Sequence, residues 1–197
     1  NPAEAQILEG AEKYRQLGCD GLLAVGGGSS IDAARAIAIA VHHDPPLAKY
    51  DDCAGGDRFI TGQLPPLAAI PTTAGTGSEV SRSALITIPS VGRKVVLFSQ
   101  RLMPDVALCD PELTYELPLR ITAETGLDAL SHNIEALLAK GYHPMADGIA
   151  RKASVMIMKS LPRLFDELHD TEARRDMLMA SLMGAVAFQK GLGVVHS

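Results

Sequence analysis

A short apolar run that ends abruptly in three glycines restricts the fold of this chain more than any other feature. Gly21-Leu22-Leu23-Ala24-Val25 passes into Gly26-Gly27-Gly28-Ser29-Ser30, after which Ile31, Ala34, Ile37, Ala38 and Val41 recur at helical spacing. The run predicts a strand of buried type, the glycines a tight turn and the remainder a helix. Strand, turn and helix in immediate succession point to a parallel α/β sheet. Upstream, Ala5, Leu8, Ala11 and Tyr14 fall at helical spacing, with Gly18 placed as a helix stop.

Further along, residues 44–66 are rich in Asp, Gly and Pro and predict a loop, followed by a second strand at Leu67-Ala68-Ala69-Ile70. Pro71-Thr72-Thr73-Ala74-Gly75-Thr76-Gly77-Ser78-Glu79 is then a polar turn. Ala84–Ile88 and Lys94–Phe98 read as two strands separated by a turn at Pro89–Gly92, and Val106–Cys109 as one more. Beyond Pro118, long stretches of helical pattern cover roughly 119–139, 145–166 and 172–195. The piece Met177–Phe188 is apolar on nearly every face, which predicts a buried helix. A boundary near 118 therefore separates an α/β half, 1–118, from an all-helical half, 119–197.

Composition removes several classes of function. With 18 Lys+Arg against 23 Asp+Glu the net charge is -5, and no basic stretch could follow a phosphate backbone or an anionic membrane, so nucleic acid and membrane partners are not expected. No apolar run approaches the roughly 20 residues of a bilayer span. Cys19, Cys53 and Cys109 are odd in number and form no C-x-x-C pair, so neither a disulfide framework nor a thiolate metal site is expected, and a reducing cytoplasm fits. Asn1-Pro2-Ala3-Glu4 resembles neither a signal peptide nor a natural start, so the chain is expected to begin inside a longer protein.

Two turns have the makings of a nucleotide site. Gly27 and Gly28 offer bare backbone N–H groups at a helix N-terminus, whose partial positive charge favours an anion such as a pyrophosphate. The pattern is neither G-x-G-x-x-G nor a P-loop, and a purely structural tight turn is the alternative. Thr72 to Gly77 brings hydroxyls and pliable backbone directly after a strand, at the end of the sheet where open α/β folds bind ligands, though Thr and Gly also simply make loops.

A third element lies in the helical half. Asp128 and His132 stand four residues apart in a segment of helical pattern, so both side chains leave the same face and could grip one cation. An ordinary Asp–His pair is the alternative. His196 ends an apolar stretch, where a structural role is the plainer reading, and His42, His43, His143 and His169 lie in polar contexts and receive no chemistry. No Ser-His-Asp grouping or G-x-S-x-G elbow supports nucleophilic hydrolysis.

Taken in order, Gly26-Gly27-Gly28-Ser29-Ser30-x-Asp32, Pro71-Thr72-Thr73-Ala74-Gly75-Thr76-Gly77-Ser78-Glu79, Gly126-x-Asp128-Ala129-x-x-His132 and Gly191-Leu192-Gly193-x-x-His196 resemble the iron-containing (group III) alcohol dehydrogenase family. The resemblance implies an α/β Rossmann-like domain followed by an all-α helical domain, the dehydroquinate synthase-like architecture, with the family's first strand and C-terminal part outside this chain. It implies that Gly27, Gly28 and Ser29 hold the pyrophosphate of NAD or NADP, with Thr72, Thr73, Ser81, Ser83, Lys94 and Leu113 lining the rest of that site. Asp128, His132 and His196 are implied as three of four metal ligands for Fe(II), or alternatively Zn(II), the fourth lying beyond Ser197.

What the resemblance implies is a metal-dependent, NAD(P)-linked alcohol dehydrogenase that moves hydride reversibly between a small alcohol and the nicotinamide, the metal polarising the substrate oxygen. The related glycerol dehydrogenase type of zinc enzyme, and a non-catalytic nucleotide- or metal-binding fragment, are the alternatives. A homo-oligomer is implied by resemblance alone.

Overall fold

A computed structural model describes residues 1–191. The chain forms two compact units, one from Asn1–Ile70 with Ser81–Leu108, the other from Pro71–Val80 with the chain from Cys109 onward. The first long helix of the second unit starts at Leu119. The threonine turn is grouped with the helices.

The first unit is organised around a single helix. It begins with helix α1 (Glu4–Gln16), whose Ala3 N–H donates to Gln6 Oε1 at 2.9 Å and whose exit passes through Gly18 at φ 64°, a left-handed position suited to glycine. The buried face of α1 is Ile7 and Ala11, not the expected Ala5–Leu8 line, and Leu8 is exposed. Gly10 explains the offset. A Cβ there would sit 2.5 Å from Ile37 Cδ1, so the glycine makes the contact face and the apolar spacing alone misplaces it by a fraction of a turn.

Strand β1 (Leu22–Gly26) leads into helix α2 (Gly28–His42), as the glycine turn predicts. α2 is buried on two sides. Ile31 and Ala34 pack with Ala24, Leu67 and Ala69 of the sheet, while Ala36, Ile39 and Ala40 join Ile7, Ile86, Ile88, Val95 and Leu97 in the larger core. Alanines at this density let α2 approach both layers closely, and each buried Ile contributes roughly 1.5–3 kcal/mol.

The sheet has the order β1-β2-β5, where β2 is Leu67–Pro71 and β5 is Val106–Ala107. β2 and β5 run parallel, with Ala68 opposite Val106 and Ala69 opposite Ala107. β5 is shorter than the predicted Val106–Cys109. β1 also departs from a strand buried on both faces, because Leu23 is 65% and Val25 52% exposed. The reason is that α2 covers only the Ala24–Leu67–Ala69 face, and side chains alternate between faces.

The predicted pair of strands is present as an antiparallel hairpin of β3 (Ser83–Ile88) and β4 (Arg93–Phe98). Its turn, Pro89–Val91, closes through Gly92 at φ 70°. Residues 44–66 are irregular as expected but not loose, since three short 3-10 turns in this stretch bury Leu47, Tyr50 and Ile60. His43 belongs to this packing. Its Nδ1 lies 3.0 Å from Ile39 O and its Nε2 accepts from Thr61 N–H at 3.0 Å, so it is a structural residue rather than a solvated one.

Three helices make the second unit: α3 (Leu119–Leu138), α4 (Pro144–Asp166) and α5 (Thr171–Ala187). His143 caps α4, its Nδ1 accepting from Ala146 N–H at 3.1 Å, and Asp170 caps α5 by accepting from Ala173 N–H at 3.0 Å. Ala129, Ala153, Ile157, Leu164, Ala173 and Met177 form the core between them. Gly126 is one point of closest approach, where a Cβ would lie 2.7 Å from Leu161 Cδ1. The third helix stops well short of 195: after Ala187 the chain tightens into a 3-10 turn, Phe188–Lys190, with Gly191 at φ 138° as its C-cap. Nor is α5 enclosed all round, for Met179 and Val186 are exposed. No described helix is long and apolar enough to cross a membrane.

Candidate functional site

On α3, Asp128 and His132 stand one turn apart, and His132 Nε2 lies 3.7 Å from Asp128 Oδ1. The imidazole is buried, with 9% of its side chain exposed, against 34% for the Asp128 carboxylate. Only the histidine is enclosed, and the neighbouring Leu127 and Ile134 face outward. Phe188 packs on the histidine ring, with centroids 5.0 Å apart and planes inclined at 49°.

The donor chemistry suits a borderline divalent cation, since one carboxylate oxygen and one imidazole nitrogen are ligands common to Fe(II) and Zn(II). Geometry agrees. Two bonds of about 2.1 Å at a tetrahedral angle separate their donor atoms by about 3.4 Å, close to the 3.7 Å between these atoms. Among the described residues no third His, Cys, Asp or Glu completes such a group. His196, the remaining expected ligand, lies outside the described residues.

The glycine turn has the form of an anion cradle. Gly27 is the N-cap of α2 and provides no side-chain cap, so the first-turn N–H groups of Gly28 and Ser29 are left to the surroundings. Ser29 is exposed and Gly27 and Gly28 partly so. Gly26 is required by the backbone itself: its φ is 147°, and a Cβ would lie 2.4 Å from Ser30 Oγ.

Ser81 and Ser83 are brought together, their hydroxyl oxygens 3.0 Å apart, while Lys94 stands exposed on β4. Thr72, Thr73 and Leu113 belong to the second unit with Asp128 and His132. Thr72 and Thr73 are half-buried, and Leu113 is exposed in a 3-10 turn, Pro111–Thr114. The glycines of the threonine turn serve close packing. A Cβ at Gly75 would meet Thr125 Cβ at 2.8 Å, and one at Gly77 (φ 58°) would meet Ala185 Cβ at 2.3 Å, so the turn is wedged against α3 and α5.

One residue the sequence reading did not single out holds the first-unit candidates in place. Arg35 is fully buried and donates to Ser81 O at 2.7 Å, Ser83 O at 3.1 Å and Leu102 O at 3.0 Å. Its neighbour Asp32 accepts from Leu85 N–H at 3.2 Å and pairs with Arg35 at 3.5 Å. An apolar helix with one Arg among alanines, three residues after an Asp, is the only trace this leaves in the sequence.

The family profile "Iron-containing alcohol dehydrogenase" matches residues 1–111, and the profile "Fe-containing alcohol dehydrogenase family, C-terminal" matches residues 122–197. The chain belongs to the iron-containing alcohol dehydrogenase family. Within this family it is 50% identical over 197 residues to 4-hydroxybutyrate dehydrogenase of Cupriavidus necator, covering 100% of this chain and 51% of that protein. It is 40% identical over 198 residues to NAD-dependent methanol dehydrogenase of Bacillus methanolicus, with the same two shares. Among solved structures, 1,3-propanediol oxidoreductase superposes with a TM-score of 0.94 at 37% identity over 100% of this chain and 50% of its own. Sulfoacetaldehyde reductase from Bifidobacterium kashiwanohense, in complex with NAD+, gives 0.86 at 38% identity over 95% and 49%.

These likenesses bear out the expected fold class, a Rossmann-like α/β region followed by a helical one. The chain spans about half the length of the relatives it matches.

Proposed function

We propose that the protein, at full length, is a metal-dependent NAD(P)-linked alcohol dehydrogenase. It would convert a small alcohol and NAD(P)+ to the aldehyde or ketone, NAD(P)H and a proton, and run in reverse. The observation that carries this reading is the Asp128–His132 pair, oriented from one helix face with its donor atoms 3.7 Å apart, in a chain of this family.

Asp128 and His132, joined by His196, are the protein's ligands for Fe(II) or Zn(II). The chemistry such a cation supplies is Lewis acidity at the substrate oxygen. The N–H groups of Gly27, Gly28 and Ser29 bind the cofactor's pyrophosphate with the α2 N-terminus behind them. Thr72, Thr73, Ser81, Ser83, Lys94 and Leu113 line the rest of the cofactor site, Lys94 supplying positive charge and the hydroxyls hydrogen bonds. The division of labour is a dinucleotide-binding domain over 1–118 and a metal-binding domain over 119–197.

Relatives named for 4-hydroxybutyrate, methanol and 1,3-propanediol support a small alcohol or its carbonyl product as substrate, and an NAD-dependent relative and an NAD+ complex support NAD. The net charge of -5 supports a small-molecule partner over nucleic acid or an anionic membrane. Three cysteines with no disulfide among them support a cytoplasmic enzyme, and a homo-oligomer is part of the proposal by family resemblance alone.

The test is turnover of short alcohols and diols with NAD+ and with NADP+, followed by nicotinamide absorbance before and after chelation. Activity that disappears on chelation and returns with Fe(II) or Zn(II) is expected. Undiminished activity in thoroughly metal-stripped protein would overturn the proposal.

A further inference from the structure

The metal-binding reading rests on two side chains of α3, and a histidine is useful to a cation only if its ring is already aimed. What aims the ring of His132 comes from a different helix. Gly184 and Phe188, one turn apart, leave the same face of α5 and its end.

At Gly184 the two helices are nearly in backbone contact. A Cβ there would lie 2.6 Å from Asn133 Nδ2, 3.2 Å from Asn133 Cγ and 3.4 Å from His132 Cβ. The Asn133 amide is fully buried and ties the helices at this level, donating to Ala129 O on its own helix at 2.8 Å and to Ala180 O on α5 at 3.3 Å. A side chain at 184 must therefore displace the tie made by Asn133, the residue next to His132, and would just touch the Cβ of His132 itself. One turn on, the Phe188 ring lies against the imidazole at 5.0 Å between centroids. Backbone separation is fixed by the glycine and ring attitude by the phenylalanine, which leaves Nε2 facing Asp128 Oδ1.

We propose that Gly184 and Phe188 are positioning residues for the metal ligand His132: α5 is the template against which α3 presents its imidazole. The proposal rests on the metal-binding reading. Residues that orient a liganding histidine typically change metal affinity by about 10–100-fold when replaced.

The experiment measures affinity for Zn(II) by chelator competition on the full-length protein, alongside the melting temperature of the metal-free form. Variants are Gly184→Ala, Phe188→Leu, Leu164→Ala and His132→Ala. Phe188→Leu keeps an apolar side chain at a half-buried site and should fold. Leu164, 1% exposed in the helical core, supplies a destabilised control without touching the proposed template.

Phe188→Leu and Gly184→Ala are expected to lose about 10–100-fold in affinity, and Leu164→Ala to lower the melting temperature with affinity unchanged. Wild-type affinity in Phe188→Leu would overturn the proposal even if Gly184→Ala fails to fold. So would a loss in Leu164→Ala matching that of the α5 variants, which would make the effect one of stability. Wild-type affinity in His132→Ala would instead overturn the underlying metal reading.

Discussion

The guanidinium of Arg35 donates through Nη2 to the carbonyl of Ser81 at 2.7 Å, and the same side chain reaches Ser83 O and Leu102 O. A fully buried charge satisfied largely by backbone carbonyls fixes the turn that carries two proposed cofactor residues to the helix that carries three others. Removing it leaves several buried acceptors without donors. Arg35→Met is expected to destabilise the first unit by about 3–5 kcal/mol. Arg35→Lys should recover little, because one ammonium cannot reproduce the fork. Denaturant titration checks both.

Cys109 predicts a chemical asymmetry. Burial, then the nearby Glu79 carboxylate, push its thiol up from 9.0 to about 11. Because the folded value is raised, the folded form keeps its proton where the unfolded form loses it, so this group's contribution to stability is fully present below about pH 9 and lost as pH rises through about 11. At pH 8 iodoacetamide should modify the exposed Cys19 and Cys53 quickly and the less exposed Cys109 much more slowly. Equal labelling of all three in the native protein would contradict this.

Glycines separate close packing from mere turning. Gly77 has φ 58° with a hypothetical Cβ 2.3 Å from Ala185 Cβ, whereas Gly62 has φ 71° with nothing within 4 Å. Gly77→Ala should cost about 2–4 kcal/mol, strain plus overpacking, and Gly62→Ala about 1–2 kcal/mol, strain alone. Thermal or chemical unfolding of the pair decides it.

Gly26→Ala tests the proposed cofactor cradle. The added methyl must displace Ser30 at the mouth of the α2 N-terminus, 2.4 Å from its Oγ. NAD+ affinity is expected to fall about tenfold or more, equivalent to about 1.4 kcal/mol. Unchanged affinity by calorimetry would remove the turn from the cofactor site.

Local chemistry made much of this legible. The β3–β4 hairpin is legible as two short apolar runs on either side of the Pro89–Gly92 turn, and α2 through the glycines that precede it. The Asp128–His132 pair needed only the helical repeat. Arg35 was not legible, because its acceptors lie 46–67 residues away along the chain and no local rule buries an arginine. Gly75 and Gly77 resembled loop glycines because the helices they touch, at Thr125 and Ala185, come from distant sequence. The outward face of β1 is not legible for the same reason: what covers a strand is decided elsewhere.

Asp128 and His132 are proposed to hold a catalytic metal. Elemental analysis of the full-length protein beside Asp128→Ala and His132→Ala, with NAD(P)-linked alcohol oxidation assayed on the same samples, tests that proposal most directly. The expected result is stoichiometric iron or zinc in the wild type, with metal and activity lost together in both variants. Full activity in metal-free variants would reduce Asp128 and His132 to a structural pair with no catalytic metal.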